Sequence, residues 1–260
     1  MTDHLTTLCR GFAERLARTP DMGVDAMRDL FEGWHLGTAE PTDVRYAQQQ
    51  GAPVPVTWCL PADSGRADRS GQVVVHAHGG GFVVGSRHSH RKLVGHLAAR
   101  AEVPALVVGY RRAPEHPYPA AVDDLLATVD WVVDSGHRPA DVVLAGDSAG
   151  GNLAVSTALR LAEQGTPPGG VIALSPWFGL ANTGGSLTEN ADHDAMVDRP
   201  TLQLMADLCL AGESSNAAAV DPLHADLTAL PPVYWRPALT RPCETTRCAS
   251  PSAPTRPGCP

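Results

Sequence analysis

The segment from Asp141 to Asn152, DVVLAGDSAGGN, constrains the fold more than any other part of the chain. Its apolar run at residues 142–145 is rich in β-branched side chains and predicts a buried strand. GDSAG at residues 146–150 matches G-x-S-x-G, and apolar residues then recur at helical spacing. A strand, a sharp turn and a helix form the context in which this motif presents a nucleophilic serine at the edge of an α/β sheet.

The residue types in this turn suit that chemistry. Ser148 would project its hydroxyl from the sheet edge, and Gly146 and Gly150 would let strand and helix pack closely around it. The N terminus of the helix would point free N–H groups at the site. Asp147 is interpreted as a scaffold residue, because the side chains of neighbours in a turn point apart. G-x-S-x-G alone also occurs in ordinary tight turns, so the interpretation needs a second motif.

The second motif is HGGGF at residues 78–82, between a predicted strand and a predicted helix. A run of glycines destabilises regular structure but suits a loop whose backbone closely approaches another group. In acyl transfer that group is the oxyanion of the tetrahedral intermediate, which is held by pre-oriented N–H donors. A flexible glycine turn is the alternative. We predict an oxyanion hole with the donors Gly80, Gly81 and Ala149, braced by His78 and Gly79.

The remaining sequence alternates between strand and helix patterns, which predicts parallel βαβ units with helices on both faces of the sheet. Predicted strands lie at 44–47, 54–60, 72–77, 103–110, 142–145 and 171–175, with a further strand beginning near 232. Predicted helices lie within 1–37, where Pro20 separates two of them, and at 87–100, about 120–133, after the serine turn with helical spacing over 153–161, and at 202–210. Residues 64–71 are predicted to form a polar turn and residues 182–200 a polar insertion.

Length and composition narrow the class of protein. A chain of 260 residues fits one α/β domain with a sizeable core. Its net charge of -8 argues against nucleic acid or an anionic membrane surface as a partner. No apolar run is long enough to span a bilayer, and the N terminus lacks the pattern of a signal peptide, so a cytoplasmic location is expected. The 6 cysteines show no metal-binding spacing, so no metal is expected.

Several longer segments resemble the hormone-sensitive-lipase-like branch of the α/β-hydrolases. They are HGGGFVVGS (78–86), YRRAPEHPYPAAVDD (110–124), AGDSAGGNLA (145–154), SPW (175–177), NADHDAM (190–196) and DPLHADLTALPPVY (221–234). The resemblance implies an eight-stranded, mostly parallel sheet and a helical lid, which we place at residues 1–40 and about 180–215. It also implies no cofactor and hydrolysis of small-molecule carboxylic esters, mostly with short to medium acyl chains. Some members of this branch remove acetyl groups from amides instead.

The resemblance implies a catalytic Ser, Asp and His in that order, and only the serine, Ser148, carries over. The sequence from Trp235 to the end contains six prolines, one acidic residue and no histidine. We therefore expect a hydrolase domain at 1–235 and a disordered, non-native tail at 236–260. GC-rich codons read one base out of phase from Tyr234 permit LAAGADEALRDDALRIAERAHAAG, which matches the missing family segment. Our hypothesis is a single-base deletion near that codon, in the gene or in its sequencing.

No other residue is an evident replacement for the missing base. The candidate histidines are each interpreted as surface or loop-bracing residues: His88, His116, His193 and His224. Arg111 and Arg112 are interpreted as ion-pair partners of Glu115 or Asp123. Three functions stay open: a serine esterase, an amide deacetylase with the same machinery, and a non-catalytic remnant that binds acyl ligands.

Overall fold

A computed structural model describes residues 4–19, 22–62, 71–189, 191, 194, 196–215, 217 and 220–236. Residues 64–70 of the predicted polar turn, His193 and residues 237–260 of the predicted tail lie outside the described residues. The helices are α1 His4–Arg18, α2 Val24–Glu32, α3 Arg87–Ala101, α4 Ala120–Asp134, α5 Ala149–Glu163, α6 Ser186–Glu189 and α7 Arg199–Leu210. The strands are β1 Val44–Gln48, β2 Val56–Pro61, β3 Val73–Ala77, β4 Ala105–Val108, β5 Val142–Asp147, β6 Gly170–Leu174 and β7 Val233–Arg236.

These strands form one sheet in the order β1-β2-β4-β3-β5-β6-β7. The first two strands are antiparallel to each other, and β2 is antiparallel to β4. The other five strands, β4, β3, β5, β6 and β7 in their order across the sheet, all run parallel, which confirms the mostly parallel sheet. The described residues contain seven strands, whereas the resemblance implies eight.

Helices cover both faces of the sheet. Alternate residues of β3 point to opposite faces: Val73 and Val75 belong to the core under α4 and α5, and Val74 belongs to the core under α3. All residues of β3 and β4 are buried. This double coverage explains why both strands are nearly continuous apolar runs.

Two expectations need correction at their boundaries. Arg236 falls in the predicted non-native tail, but it pairs with Leu174 as the last residue of β7, and its carbonyl accepts the Ser175 N–H at 2.7 Å. The predicted polar insertion at residues 182–200 overlaps the following helix, because α7 begins at Arg199, and the short helix α6 lies within the insertion. Among the described helices, none is both long enough and apolar enough to cross a bilayer.

Candidate active site

Ser148 occupies the turn between β5 and α5. Its backbone has φ 52° and ψ -121°, in the positive-φ region where a residue with a side chain is strained. The turn is held at both backbone groups: the Ser148 N–H donates to the carbonyl of Leu174 at 3.0 Å, and its carbonyl accepts the Trp177 N–H at 2.9 Å. Ser148 therefore lies in the strand–turn–helix context that the sequence predicts, at the carboxyl edge of the parallel strands.

Two glycines allow this turn to pack tightly. A Cβ atom on Gly150 would overlap the carbonyl group of Ala77 at the end of β3. A Cβ atom on Gly146 would overlap the backbone of Gly150 across the turn. The close approach of helix and strands that the motif requires is thus possible only without side chains at these positions.

The glycine loop after β3 presents free donors. Gly80 and Gly81 have φ values of 121° and 60°. The carbonyl of Gly80 accepts from the N–H groups of Val83 and Val84, at 3.0 and 2.8 Å. Within the described residues, the N–H groups of Gly80, Gly81 and Ala149 donate no hydrogen bond. Gly81 and Ala149 are buried, and Gly80 is partly buried. Because buried N–H groups are nearly always paired, free ones on the glycine loop and at the start of α5 suit a ligand.

Asp147 joins the glycine loop to the serine turn. Its Oδ1 accepts the N–H of Gly79 at 3.1 Å. A Cβ atom on Gly79 would overlap the same carboxylate, so only glycine allows this approach. This hydrogen bond to Gly79 supports the interpretation of Asp147 as a scaffold residue.

The sequence of residues 74–237 matches a protein family that is described as having the alpha/beta hydrolase fold. The chain belongs to this α/β-hydrolase family. It is 37% identical over 224 residues to an acetyl-hydrolase of Streptomyces hygroscopicus, an alignment that covers 81% of this chain and 75% of that protein. It is 39% identical over 163 residues to an esterase of Acinetobacter venetianus, with 62% of this chain and 54% of that protein covered.

A solved structure gives the same assignment. The crystal structure of an esterase from the bacterial hormone-sensitive lipase family superposes with a TM-score of 0.81 at 34% sequence identity. The match covers 90% of this chain and 78% of the esterase chain. The resemblance to the hormone-sensitive-lipase-like α/β-hydrolases is therefore confirmed.

Three buried histidines surround Asp147 in this α/β-hydrolase. His90 Nε2 lies 3.3 Å from Oδ2, and His76 Nε2 lies 3.7 Å from Oδ1. The His78 ring centroid is 5.5 Å from that of His90. Neither His76 nor His90 is among the residues that the sequence predicts for the site. The sequence does indicate that His76 belongs near His78. The two residues are two positions apart at the end of an apolar strand, so their side chains are expected on the same face.

The histidines and Asp147 shift one another's pKa values. Burial lowers the pKa of His76 to about 4, and burial together with His90 lowers that of His78 to about 3. Burial alone would raise the pKa of Asp147 and lower that of His90. Their charge interaction and hydrogen bond outweigh burial, so the pKa of Asp147 lies below its usual range and that of His90 above.

His78 braces the glycine loop. Its Nδ1–H donates to the carbonyl of Gly79 at 2.9 Å, which makes Nδ1 the protonated nitrogen of the neutral ring. The ring stacks on Tyr110 with centroids 4.1 Å apart, and the Tyr110 hydroxyl donates to the His78 carbonyl at 2.7 Å. These contacts fit the interpretation of His78 as a bracing residue.

The described residues provide no base for Ser148. No described histidine forms a hydrogen bond with Ser148 Oγ. His88, His116 and His224 are exposed, and His224 pairs with Asp221 at 3.3 Å. His193 lies outside the described residues. In the same part of the chain, no group of His, Cys, Asp and Glu side chains has the arrangement of a metal site.

The expected arginine pairings were wrong. Arg111 pairs with Asp124 at 2.8 Å, because Asp124 lies on the buried face of α4 and Asp123 on its exposed face. Glu115 pairs instead with Arg28 of α2 at 2.6 Å, a contact between distant segments. Arg112 donates to the carbonyl of Gly85 at 2.6 Å.

Proposed function

We propose that this chain is a serine hydrolase that cleaves carboxylic esters through an acyl-enzyme, with Ser148 as the nucleophile. The observation that carries the proposal is the strained Ser148 turn flanked by three free N–H groups from two loops. The similarity to proteins named esterase and acetyl-hydrolase supports the same chemistry.

Each group would have a defined part in the reaction. Ser148 Oγ attacks the ester carbonyl carbon and gives its proton to a base, which passes it to the departing alcohol. The carbonyl oxygen becomes an oxyanion, and the N–H groups of Gly80, Gly81 and Ala149 donate to it. Water then hydrolyses the acyl-enzyme by the same steps. The family resemblance implies a histidine base beyond Tyr234, but residues 235–260 contain no histidine. The full reaction is therefore expected of a version that continues in the restored frame, and the 260-residue chain retains only Ser148 and the N–H donors.

We propose short acyl groups as substrates. A cavity of about 20 Å³ is bordered by Phe82, which follows the glycine loop, and by Asn152 and Leu153 near the start of α5; Ser148 itself is not among its lining residues. Its other lining residues are mostly apolar, which suits a methyl group better than a long chain. The relative named acetyl-hydrolase agrees with this size. The name acetyl-hydrolase does not distinguish ester from amide substrates, so removal of acetyl groups from amines is the second candidate function.

We also propose that residues 1–40 and about 180–215 form a lid over the site. A Cβ atom on Gly81 would overlap the side chain of Met205, so α7 lies directly against the glycine loop. From α2, Arg28 Nε donates to the carbonyl of Val83 at 3.0 Å. A cytoplasmic location, independence of cofactors and the absence of nucleic-acid partners stay predictions from sequence.

Replacement of the serine tests the proposal. The 260-residue chain is assayed with p-nitrophenyl acetate and with an N-acetylated amine, beside Ser148→Ala. Ser135→Ala is the matched control, since Ser135 is exposed at the end of α4. Hydrolysis by the parent chain should be weak, because its described residues supply no base. We expect Ser148→Ala to abolish labelling by a fluorophosphonate ester, while Ser135→Ala preserves it. Equal labelling of Ser148→Ala and the parent chain would overturn the assignment.

A further inference from the structure

The proposed function does not account for the histidines buried around Asp147. We propose that His90 is a positioning residue: protonated on both ring nitrogens, it forms an ion pair with Asp147 that holds the glycine loop against the Ser148 turn. The catalytic consequence of this inference rests on the proposed function. The ion pair itself does not, so the two can be tested separately.

The contacts form a continuous chain from helix to loop. His90 of α3 reaches Asp147 Oδ2 at 3.3 Å, and the other carboxylate oxygen accepts the Gly79 N–H at 3.1 Å. Asp147 immediately precedes Ser148, and Gly79 immediately precedes the predicted donor Gly80. A shift of this carboxylate would therefore move the donors relative to the nucleophile.

The hydrogen bonds around His90 account for a proton on each nitrogen. Nε2 faces a carboxylate oxygen, which only accepts. Nδ1 lies 2.9 Å from the hydroxyl of Ser89, and that hydroxyl is positioned to donate its one proton to the carbonyl of Ser86 at 3.0 Å. When that proton goes to the Ser86 carbonyl, the Ser89 oxygen acts toward Nδ1 as an acceptor, and both ring nitrogens are donors.

The neighbouring histidines are not equivalent sites for this proton. Neither ring nitrogen of His76 has a hydrogen-bond partner within the described residues. His78 donates from Nδ1 to the carbonyl of Gly79, but its Nε2 has no partner there. Of the three rings, only that of His90 has an acceptor next to each of its two ring nitrogens. A buried cation needs such pairing, and the Asp147 carboxylate, with its side chain 26% exposed, supplies the opposite charge.

The other groups near His90 leave Asp147 as its only direct charged partner among the described residues. From α2, Glu32 accepts a hydrogen bond from the Ser86 hydroxyl at 2.7 Å and adds a more distant negative charge. The Phe31 ring stacks on His90 at 6.3 Å. Beyond His78 lie the Tyr110 hydroxyl and the Arg112 guanidinium, which donate to backbone carbonyls. Deprotonation of His90 would therefore remove the main cation facing Asp147.

The first experiment measures the ion pair without any catalysis. Histidine and glycine are labelled with ¹⁵N in Ser148→Ala, and ring and amide resonances are followed from pH 5 to pH 9. We expect one buried imidazole with two protonated nitrogens at pH 6, assigned to His90 by its loss in His90→Gln. Its deprotonation should shift the Gly79 amide, and Asp147→Asn should remove that coupling. Three neutral buried imidazoles at pH 6, or a Gly79 amide that ignores the titration, would overturn the inference.

The second experiment measures the consequence for turnover. His90→Gln keeps a donor near Asp147 but not the charge, and the exposed His88→Gln near the start of the same helix is the matched control. We expect His90→Gln to lower kcat roughly 10²-fold with little change in KM, because misplaced catalytic groups cost about that much. At a pH where His90 is deprotonated, the parent chain also lacks this charge, so the two proteins should then have similar kcat values. An unchanged kcat, or a loss equal at every pH, would overturn positioning by charge, whereas fluorophosphonate labelling that survives Ser148→Ala would instead refute the proposed function.

Discussion

At the scale of single residues, Gly79 is a position where one added methyl group should have a large effect. The Cβ of Gly79→Ala would overlap the Asp147 carboxylate and displace the glycine loop. We expect a loss of about 1–3 kcal/mol in the free energy of unfolding, typical of overpacking, and roughly 10²-fold slower ester hydrolysis from displaced donors. Urea unfolding and the p-nitrophenyl acetate assay measure the two effects.

The control for this substitution lies in α1. Gly11 is exposed, and no atom lies within 4 Å of the position that an alanine methyl would occupy there. Gly11→Ala should therefore be neutral or stabilise the fold by up to about 1 kcal/mol through helix propensity. Equal stability losses in the two variants would show that the space at Gly79 is not what matters.

Acid should destabilise this fold through its buried neutral histidines. The pKa values of His76 and His78 are about 4 and about 3 in the fold, against 6.5 ordinarily. Below that ordinary value the unfolded chain binds more protons than the folded chain, so the free energy of unfolding falls as pH falls toward 4. Urea unfolding at pH 7 and pH 5 should show this slope, and His76→Asn should reduce it. A slope unchanged by the substitution would mean that His76 is already charged in the fold.

Whether a feature of the site can be predicted from the sequence depends on how far apart its residues lie along the chain. Ser148, Gly146 and Gly150 belong to one short motif whose geometry is local, and the structure places them in the predicted turn. His90 and Asp147 are 57 residues apart, and their pairing depends on how α3 packs over the sheet. Nothing in the spacing of the two residues indicates that contact.

At the scale of elements, periodicity located the strands and helices, but their directions and partners come from packing. The antiparallel pairing of β2 with β4 joins strands separated by β3 in sequence, which no local pattern encodes. The same limit explains the wrong partner for Glu115. Its neighbours in sequence include Arg111 and Arg112, yet Arg28 reaches it from α2.

Arg28 fastens α2 to the loops that border the site, and its removal should loosen them. Besides the ion pair, it donates to the carbonyls of Val83 and Ala113 at 3.0 and 2.9 Å, with its side chain 15% exposed. Arg28→Ala should lower the free energy of unfolding by about 1–3 kcal/mol, because both carbonyls lose a charged donor. Chemical denaturation measures the change.

The matched comparison is Arg18→Ala in α1. Arg18 pairs with Glu14 at 3.3 Å, and both side chains are largely exposed. Exposed pairs of this kind contribute only about 0.3–0.5 kcal/mol. If Arg28→Ala proved no more destabilising than Arg18→Ala, the contacts of α2 with these loops would not contribute to stability.

At the scale of the whole molecule, the sheet is well covered in its middle and poorly covered at β7. The central strands are buried on both faces, whereas Val233 and Tyr234 are 42% and 56% exposed. This is also where the sequence stops resembling the family. The agreement between an exposed strand and a departure in sequence supports our hypothesis that the reading frame changes near the codon for Tyr234.

The catalytic consequence of that departure is large. A serine hydroxyl is a weak nucleophile without an adjacent base, and the residues from Trp235 onward contain neither Asp nor His. Loss of the base lowers turnover roughly 10⁶-fold in the best-studied serine hydrolase, while the oxyanion donors and binding alone retain on the order of 10³–10⁴ over water. We therefore expect weak ester hydrolysis from the 260-residue chain and strong, Ser148-dependent hydrolysis from a version that continues in the restored frame.

Both proteins are assayed with p-nitrophenyl acetate, each beside its own Ser148→Ala variant, and the codons around Tyr234 are resequenced. The restored segment supplies an aspartate and a helix after β7, so it should also protect the amides of Val233 and Tyr234 from hydrogen exchange. Rates that are equal in the two proteins and abolished by Ser148→Ala would show that a histidine before Tyr234 is the base. No described histidine forms a hydrogen bond with Ser148 Oγ, so such a result would require a rearrangement around Ser148 or a role for His193.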